Sequence, residues 1–203
     1  MSKCLVLFSG GIDSTAMLKH LLESTKDELV VHHISMRTLE DHWMAEDEAA
    51  VKIIEYLRAI RYFDYSMSVI DIGRVRSWLD WELLGFMGAL QAREYQCDTI
   101  AVGRKKDGKT FATSPKIFGA QHEFMQGMSE SLARTNLFLM KGNVVARWDY
   151  PLWDWSSRRV VEYLGPELRA LTISCRRPTR TESGWQPCGQ CNQCKMYAEL
   201  EAQ

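Results

Sequence analysis

The sequence predicts an α/β fold in which helices cover both faces of a parallel sheet. Short apolar runs alternate with amphipathic segments along most of the chain, and this alternation is typical of parallel strands joined by helical crossovers. The first apolar run ends directly at two glycines, Gly10 and Gly11, where such a sheet would place a ligand-binding loop. Of the 203 residues, 46% are hydrophobic and 25% are charged, a composition typical of a globular enzyme.

Strand and helix patterns follow one another in the first half of the chain. Residues 3–8 form a short apolar run that ends at the two glycines, as expected for a buried strand that opens into a loop. Apolar residues at helical spacing predict a helix at residues 14–23, and a second apolar run predicts a strand at residues 29–35. The spacing of apolar positions in residues 41–60 fits a long helix.

The second half continues the alternation with weaker signals. Strands are predicted at residues 65–72, 99–102 and 143–148, and helices at residues 78–95, 125–132 and 158–164. Ser156 or Ser157 can cap the last helix, and Gly165-Pro166 stops it. The polar stretch 103–121 predicts a loop that is long enough to act as a mobile cover for the site.

The loop between the first strand and the first helix reads Ser9-Gly10-Gly11-Ile12-Asp13-Ser14. Its glycines let backbone N–H groups approach an anionic group, and the start of the following helix adds a partial positive charge. The hydroxyls of Ser9 and Ser14 can donate to phosphate oxygens, and Asp13 can hold Mg²⁺. The alternative is a tight turn with an ordinary Asp or Ser cap, but the full string in a strand–loop–helix setting favours phosphate binding.

This string lacks the Gly-Lys-Ser/Thr ending of a Walker loop. It resembles the PP-loop signature of ATP pyrophosphatases, which cut ATP between the α and β phosphates. The resemblance implies an adenine nucleotide alpha-hydrolase-like fold, ATP and Mg²⁺ as cofactors, and Asp13 and Ser14 as catalytic residues.

Residues at the ends of neighbouring strands are expected to complete the ATP site, because ligands bind beyond the carboxyl ends of parallel strands. Ile34 and Ser35 end the second strand and could flank the adenine with backbone groups. Gly103 and Arg104 follow the fourth strand, where Arg104, Lys105 and Lys106 could meet the phosphates. A solvated basic loop is the alternative for Arg104 and for the two lysines that follow it.

Four of the six cysteines lie close to the C-terminus, namely Cys175, Cys188, Cys191 and Cys194. They are separated by twelve, two and two residues, and four thiolates at this spacing can close a tetrahedral Zn²⁺ site with Zn–S distances of roughly 2.3 Å. An iron–sulfur cluster is the competing interpretation. Because the protein fills all four positions, the metal is expected to be structural, tying residues 171–203 to an ATP-binding domain of residues 1–170.

The glycine string and the cysteine string occur together, the second reading Thr172-Ile-Ser-Cys175 followed by Pro187-Cys188-Gly-Gln-Cys191-Asn-Gln-Cys194. This pairing resembles the 7-cyano-7-deazaguanine synthase family, whose cysteines bind one structural zinc. Shorter similarities support it, at His42 with Ala45-Glu46, at Val102-Gly103 and at Pro151-Leu152.

The resemblance implies that 7-carboxy-7-deazaguanine is converted to its nitrile, as in queuosine biosynthesis, with ATP and ammonia. The carboxylate would be adenylated, ammonia would displace AMP to give the amide, and a second activation would dehydrate the amide. The family commonly carries two strings near its base pocket, Gly-Arg-Asn and Ser-Gly-Tyr-Pro-Asp-Cys-Arg. This chain lacks both strings. Compensating base contacts are expected from Trp78, Asp80, Trp81 and residues 104–121.

Two rival functions remain open. One is a PP-loop enzyme that thiolates tRNA, against which Cys4 and Cys97 occupy poor positions for a nucleophile. The other is a non-enzymatic binding module with a zinc knuckle. A formal charge of −1 argues against nucleic acid as a direct partner.

No apolar run is long enough to span a bilayer, and no signal-peptide core precedes the glycine loop, so we expect a cytoplasmic location. Whether the protein is a monomer or a homodimer is left open. His32 and His33 are expected to be core or edge histidines of the second strand, and Arg176, Arg177 and Arg180 to be surface residues near the cysteines.

Overall fold

Five parallel strands form the central sheet of the protein. A computed structural model describes residues 2–38, 42–73, 80–106, 115–136 and 145–201. The strands are β1 (Lys3–Phe8), β2 (Glu28–Arg37), β3 (Asp64–Asp71), β4 (Thr99–Val102) and β5 (Arg147–Asp149). They lie in the order β3-β2-β1-β4-β5, and every neighbouring pair is parallel. The carboxyl ends of the central strands β2, β1 and β4 therefore meet at one edge of the sheet.

Six helices are described: α1 (Ile12–Ser24), α2 (Trp43–Leu57), α3 (Asp80–Tyr95), α4 (Pro115–Asn136), α5 (Ser157–Leu171) and α6 (Asn192–Glu201). Side chains of α1, α2 and α5 pack into one core against β1 and β2, and side chains of α3 and α4 contribute to a second core on the opposite face. Alternate residues of β1 enter different cores, with Val6 in the first and Leu5 in the second. The predicted fold class, a parallel sheet with helices on both faces, is confirmed.

The prediction of a loop over residues 103–121 is wrong in its last part. Helix α4 begins at Pro115 and continues through the predicted helix 125–132 to Asn136, while residues 107–114 lie outside the described residues. Proline is well accommodated at a first helical position because its missing N–H has no partner there. Residues 115–124 of this helix were missed because none of their described side chains is buried, whereas the predicted part contains the buried Met125 and Ser129.

Other element boundaries also differ from the predictions. Strand β5 is shorter than the predicted strand 143–148, whose first two residues lie outside the described part of the chain. The predicted cap Ser156 is confirmed, since its Oγ accepts a 3.1 Å hydrogen bond from the backbone N–H of Arg159. The helix is interrupted at Gly165, as predicted, but it resumes and continues to Leu171.

The C-terminal segment contains elements that the sequence did not indicate. Strands β6 (Thr179–Thr181) and β7 (Gly184–Gln186) form an antiparallel hairpin between the first and second cysteines, and α6 follows the third cysteine. Three-residue strands carry no measurable alternation of apolar and polar residues, which explains the omission. Among the described helices, none is both long enough and apolar enough to cross a membrane.

Candidate functional site

A cleft of about 280 Å³ opens at the edge where β1, β2 and β4 end. It brings together seven of the residues predicted to bind ATP: Ser9, Gly11, Ile12, Asp13, Ser14, Ile34 and Gly103. Parallel strands collect their following loops at one edge, which is why residues far apart in sequence meet there. The structure therefore supplies a common cavity for the glycine loop and the strand ends.

The glycine loop is held in shape by its own hydroxyls. The Oγ of Ser14 donates to the carbonyl of Gly11 at 3.0 Å and lies 3.1 Å from the Oγ of Ser9. Gly11 is the N-terminal cap of α1, so the first N–H groups of that helix face the loop. A loop of this kind presents backbone donors and a helix start to an anion.

Gly10 is required for this arrangement. Its φ is 78°, and a Cβ at this position would lie 2.9 Å from the carbonyl oxygen of Glu46 and 3.0 Å from the backbone nitrogen of Ala50. Both neighbours are backbone atoms of α2, which cannot move like a flexible side chain. Gly10 thus allows the loop to pack directly on α2.

Asp13 forms an ion pair across the cleft edge with Lys105. The Lys105 side chain is only 6% exposed, which excludes a solvated basic loop at this position. Gly103 lies close by, since a Cβ on it would sit 2.9 Å from the backbone carbonyl of Asp13. Lys105, shortly after the end of β4, therefore places a buried positive charge beside the Asp13 carboxylate of the glycine loop.

Besides Gly10, which packs on α2, two residues predicted to bind ATP do not line the cleft. The Oγ of Ser35 donates a 2.9 Å hydrogen bond to Asp47, and this serine is buried. Arg104 is also buried, and its Nη1 donates to Gln121 at 2.8 Å on α4. Direct ATP contacts by these two residues stay predictions. The side chains of Asp80 and Trp81, and Trp78 itself, lie outside the described residues.

The C-terminal segment forms one wall of the cleft. The backbone N–H of Ile173 donates to the carbonyl of Gly10 at 3.1 Å, and Ser174 Oγ accepts from the N–H of Ile12 at 3.0 Å. Arg176, Gln193 and Tyr197 line the cleft from the same segment. The cysteine-bearing part of the chain is therefore built onto the glycine loop.

Helix α2 supplies further polar groups at its first turn. His42 and Glu46 both line the cleft, and His42 Nε2 lies 3.4 Å from Glu46 Oε1. These two positions were noted in the sequence only for their similarity to a family. Their place in the cavity makes them candidates for contact with a ligand.

The four C-terminal cysteines lie close enough together to hold a metal ion. The Sγ atoms of Cys175, Cys188, Cys191 and Cys194 all lie within 4.8 Å of one another. Backbone N–H groups donate to these sulfurs, for example from Cys188 to Cys175 Sγ at 3.1 Å. Such hydrogen bonds from Gln190 and Cys191 hold the pKa of the Cys188 thiol below its usual range, whereas burial raises the pKa of the Cys175 and Cys194 thiols.

The distances between the cysteine sulfurs can be compared with those expected around a single metal ion and around a cluster. Four thiolates at roughly 2.3 Å from one tetrahedral ion lie about 3.8 Å apart, and Cys191 Sγ lies 3.4 Å from Cys194 Sγ. A cubane cluster inserts several metal and sulfide atoms between its cysteines and needs a wider cage. The observed sulfurs fit a single ion.

The remaining cysteines are unsuited to nucleophilic chemistry. Burial raises the pKa of Cys4 to about 11 and that of Cys97 to about 12, and Cys97 is fully buried. A thiol with a raised pKa and no access to solvent is a poor nucleophile. Neither residue lines the cleft.

Sequence reasoning missed several residues of this site. Lys105 was predicted either to meet the phosphates or to lie in a solvated basic loop, but its ion pair with Asp13 was not predicted. Arg176 directly follows the first cysteine, and this adjacency was the available signal. Gln193 and Tyr197 carried no such signal, because only the folded cysteine site turns them towards the glycine loop.

Comparison with known proteins supports the fold. No family model matches the sequence, and no curated protein matches it. A similar solved structure is the U34-tRNA thiolase NcsA from Methanococcus maripaludis with its [4Fe-4S] cluster, at a TM-score of 0.56 and 15% sequence identity. The match covers 99% of this chain but only 63% of the thiolase chain. At this identity the similarity shows a shared fold.

Proposed function

We propose that the protein is an ATP pyrophosphatase that adenylates 7-carboxy-7-deazaguanine and, with ammonia, converts it to the nitrile. The observation that carries this proposal is the cleft, in which the glycine loop, the strand ends and the cysteine segment meet. The same two strings, now adjacent in space, carried the family resemblance. The AMP-forming step follows from a loop that binds phosphates without a Walker lysine.

ATP binding is assigned to the glycine loop. The start of α1 would receive the phosphates, for which the N–H groups of Ser9, Gly11 and Ile12 would exchange their serine hydroxyl partners. Asp13 would hold Mg²⁺ through its carboxylate. Lys105 neutralises Asp13 and would contact phosphate oxygens when Mg²⁺ takes its place at the Asp13 carboxylate. Contacts to the phosphates on both sides of the bond that is cut would orient ATP and stabilise the negative charge that develops on the pyrophosphate.

The acceptor is assigned to the wall formed by the cysteine segment. Arg176 is the only lysine or arginine among the described residues that line the cleft. A guanidinium pairs well with a planar carboxylate, the group that is to be adenylated. Ile34, Met36 and Leu84 add apolar surface to the same cavity, which suits the face of a flat base.

The metal is proposed to be Zn²⁺ held by all four cysteines. The sulfur spacing supports one ion, whereas the similar thiolase carries a [4Fe-4S] cluster. With four protein ligands the ion has no open position for water. Its proposed role is to hold Arg176, Gln193 and Tyr197 in the cleft wall.

Cys191→Ser is expected to remove the metal and to lower stability by about 3 kcal/mol, a drop in Tm of roughly 6–12 °C. ATP affinity should change less, because the glycine loop lies outside the cysteine cage. Elemental analysis should find about one Zn²⁺ per wild-type chain. Cys97→Ser is the control and should retain the metal. A wild-type protein that is equally stable with and without metal would contradict the assignment.

Arg176→Ala is expected to raise the KM for 7-carboxy-7-deazaguanine at least about tenfold, because a charge-assisted contact is lost. The KM for ATP should change little. Arg177→Ala is the matched control, since Arg177 is exposed and does not line the cleft. Equal effects of the two variants on the acceptor KM, measured by pyrophosphate release, would remove Arg176 from the acceptor site.

The proposed reaction itself is tested by mass spectrometry of the products from 7-carboxy-7-deazaguanine, Mg-ATP and ammonium. We expect AMP, pyrophosphate and the nitrile. The second candidate, tRNA thiolation, is favoured by the similarity to NcsA and disfavoured by the inaccessible Cys4 and Cys97. Incorporation of sulfur into tRNA without nitrile formation would favour it. Absence of pyrophosphate release with either acceptor would favour a non-enzymatic binding module.

A further inference from the structure

His33 lies beneath the glycine loop and contacts two oxygen atoms. This residue is fully buried on β2. Its Nδ1 lies 2.8 Å from the carbonyl oxygen of Phe8, and its Nε2 lies 2.8 Å from Oδ1 of Asp47 on α2. The other carboxylate oxygen of Asp47 accepts the hydroxyl of Ser35 at 2.9 Å. Strand β1, strand β2 and helix α2 are thus joined through one imidazole.

The partners determine which atoms carry hydrogen. A backbone carbonyl only accepts hydrogen bonds, so Nδ1 of His33 must carry the proton that bridges to Phe8. A second proton must lie between Nε2 and Asp47, because two bare acceptors would repel at this distance. Asp47 therefore fixes the ring so that its Nδ1–H points at the end of β1.

The Phe8–Ser9 peptide group connects this network to the glycine loop. Its carbonyl is held by His33, and its N–H, which belongs to Ser9, donates to Ser14 Oγ at 3.3 Å. A peptide group is planar, so fixing the carbonyl also fixes the direction of the N–H. The orientation of His33 is transmitted in this way to Ser14.

We propose that His33 is a positioning residue, anchored by Asp47, that sets the Phe8–Ser9 peptide and thereby the geometry of the phosphate loop. The ATP part of this inference rests on the proposed function. The same strand offers a contrast in His32, whose two nitrogens contact Ser66 Oγ and Ser68 Oγ of β3 instead. His32 is buried to a similar degree, but its ring nitrogens contact hydroxyls of β3 and not the Phe8 carbonyl of β1.

Two isosteric variants separate the two contacts of His33. In His33→Asn the amide nitrogen takes the place of Nδ1 and keeps the bond to Phe8, whereas in His33→Gln it reaches the place of Nε2 and keeps the bond to Asp47. We expect His33→Gln to weaken ATP binding about tenfold and His33→Asn to change it by less than about threefold. Calorimetry with a non-hydrolysable ATP analogue measures both, and His32→Gln is the control that should leave ATP affinity unchanged.

Amide hydrogen exchange at Ser9 provides a readout that does not need ATP. Exchange should accelerate in His33→Gln and stay near the wild-type rate in His33→Asn, and the two melting temperatures show whether either variant is globally destabilised. Equal exchange rates and equal ATP affinities in the two variants would overturn the inference. If the Ser9 amide exchanges faster in His33→Gln alone and the wild-type protein binds no ATP, the positioning role of His33 is upheld and the proposed function is rejected.

Discussion

Asp13→Ala is expected to slow pyrophosphate release by at least about 100-fold while the protein remains folded. The Asp13 side chain is partly exposed and lines the cleft, so its truncation leaves no cavity in either core. It does remove the ion-pair partner of the buried Lys105, so thermal melting is measured beside turnover. Its proposed task is to hold Mg²⁺ against the phosphates, which no other carboxylate of the glycine loop can do. Pyrophosphate release with Mg-ATP, 7-carboxy-7-deazaguanine and ammonium measures the effect, and circular dichroism checks the fold.

The structure contains a matched control for this experiment. Lys106 pairs with Asp154 next to the Lys105–Asp13 pair in sequence. The Lys106 and Asp154 side chains are exposed, and neither lines the cleft. An exposed ion pair contributes little to stability, so Asp154→Ala should leave turnover unchanged. Wild-type turnover in Asp13→Ala would remove the basis of the phosphate-site assignment.

The central sheet and the glycine loop could be predicted because their signals are local. Buried strands such as β1 and β4 consist of short apolar runs bounded by polar or glycine residues, and the loop chemistry lies in consecutive residues. The first part of helix α4, residues 115–124, escaped prediction because none of its described side chains is buried. A surface helix of this kind differs little from a polar loop in a single sequence.

The composition of the cleft could be predicted only in part, because it depends on contacts between distant residues. Lys105 meets Asp13 across 92 positions, and Ile12 meets Ser174 across 162. His33 was interpreted as a core or edge histidine, which matches its burial. Its link to Phe8 and Asp47 arises only when β1, β2 and α2 are packed together. Local patterns therefore identified the chemistry of the loop but not the groups that support it.

Gly103→Ala is expected to lower ATP affinity by at least about tenfold, even though only one methyl group is added. The new Cβ would lie 2.9 Å from the carbonyl carbon, the carbonyl oxygen and the next backbone nitrogen at Asp13–Ser14. All three are backbone atoms, so the steric clash is removed only if the end of β4 or the glycine loop moves. Both movements separate Lys105 from Asp13 and displace the first N–H groups of α1, which are the groups assigned to the phosphates.

Gly127→Ala is the control for adding a methyl group to a glycine. Gly127 lies in α4, and a Cβ there would meet nothing within 4 Å. This change should stabilise the protein by up to about 1 kcal/mol, because alanine favours helix more than glycine does. Calorimetry with a non-hydrolysable ATP analogue and thermal melting compare the two variants. If Gly103→Ala binds ATP like the wild type, the nucleotide does not depend on the contact between β4 and the glycine loop, and the phosphates must be placed elsewhere in the cleft.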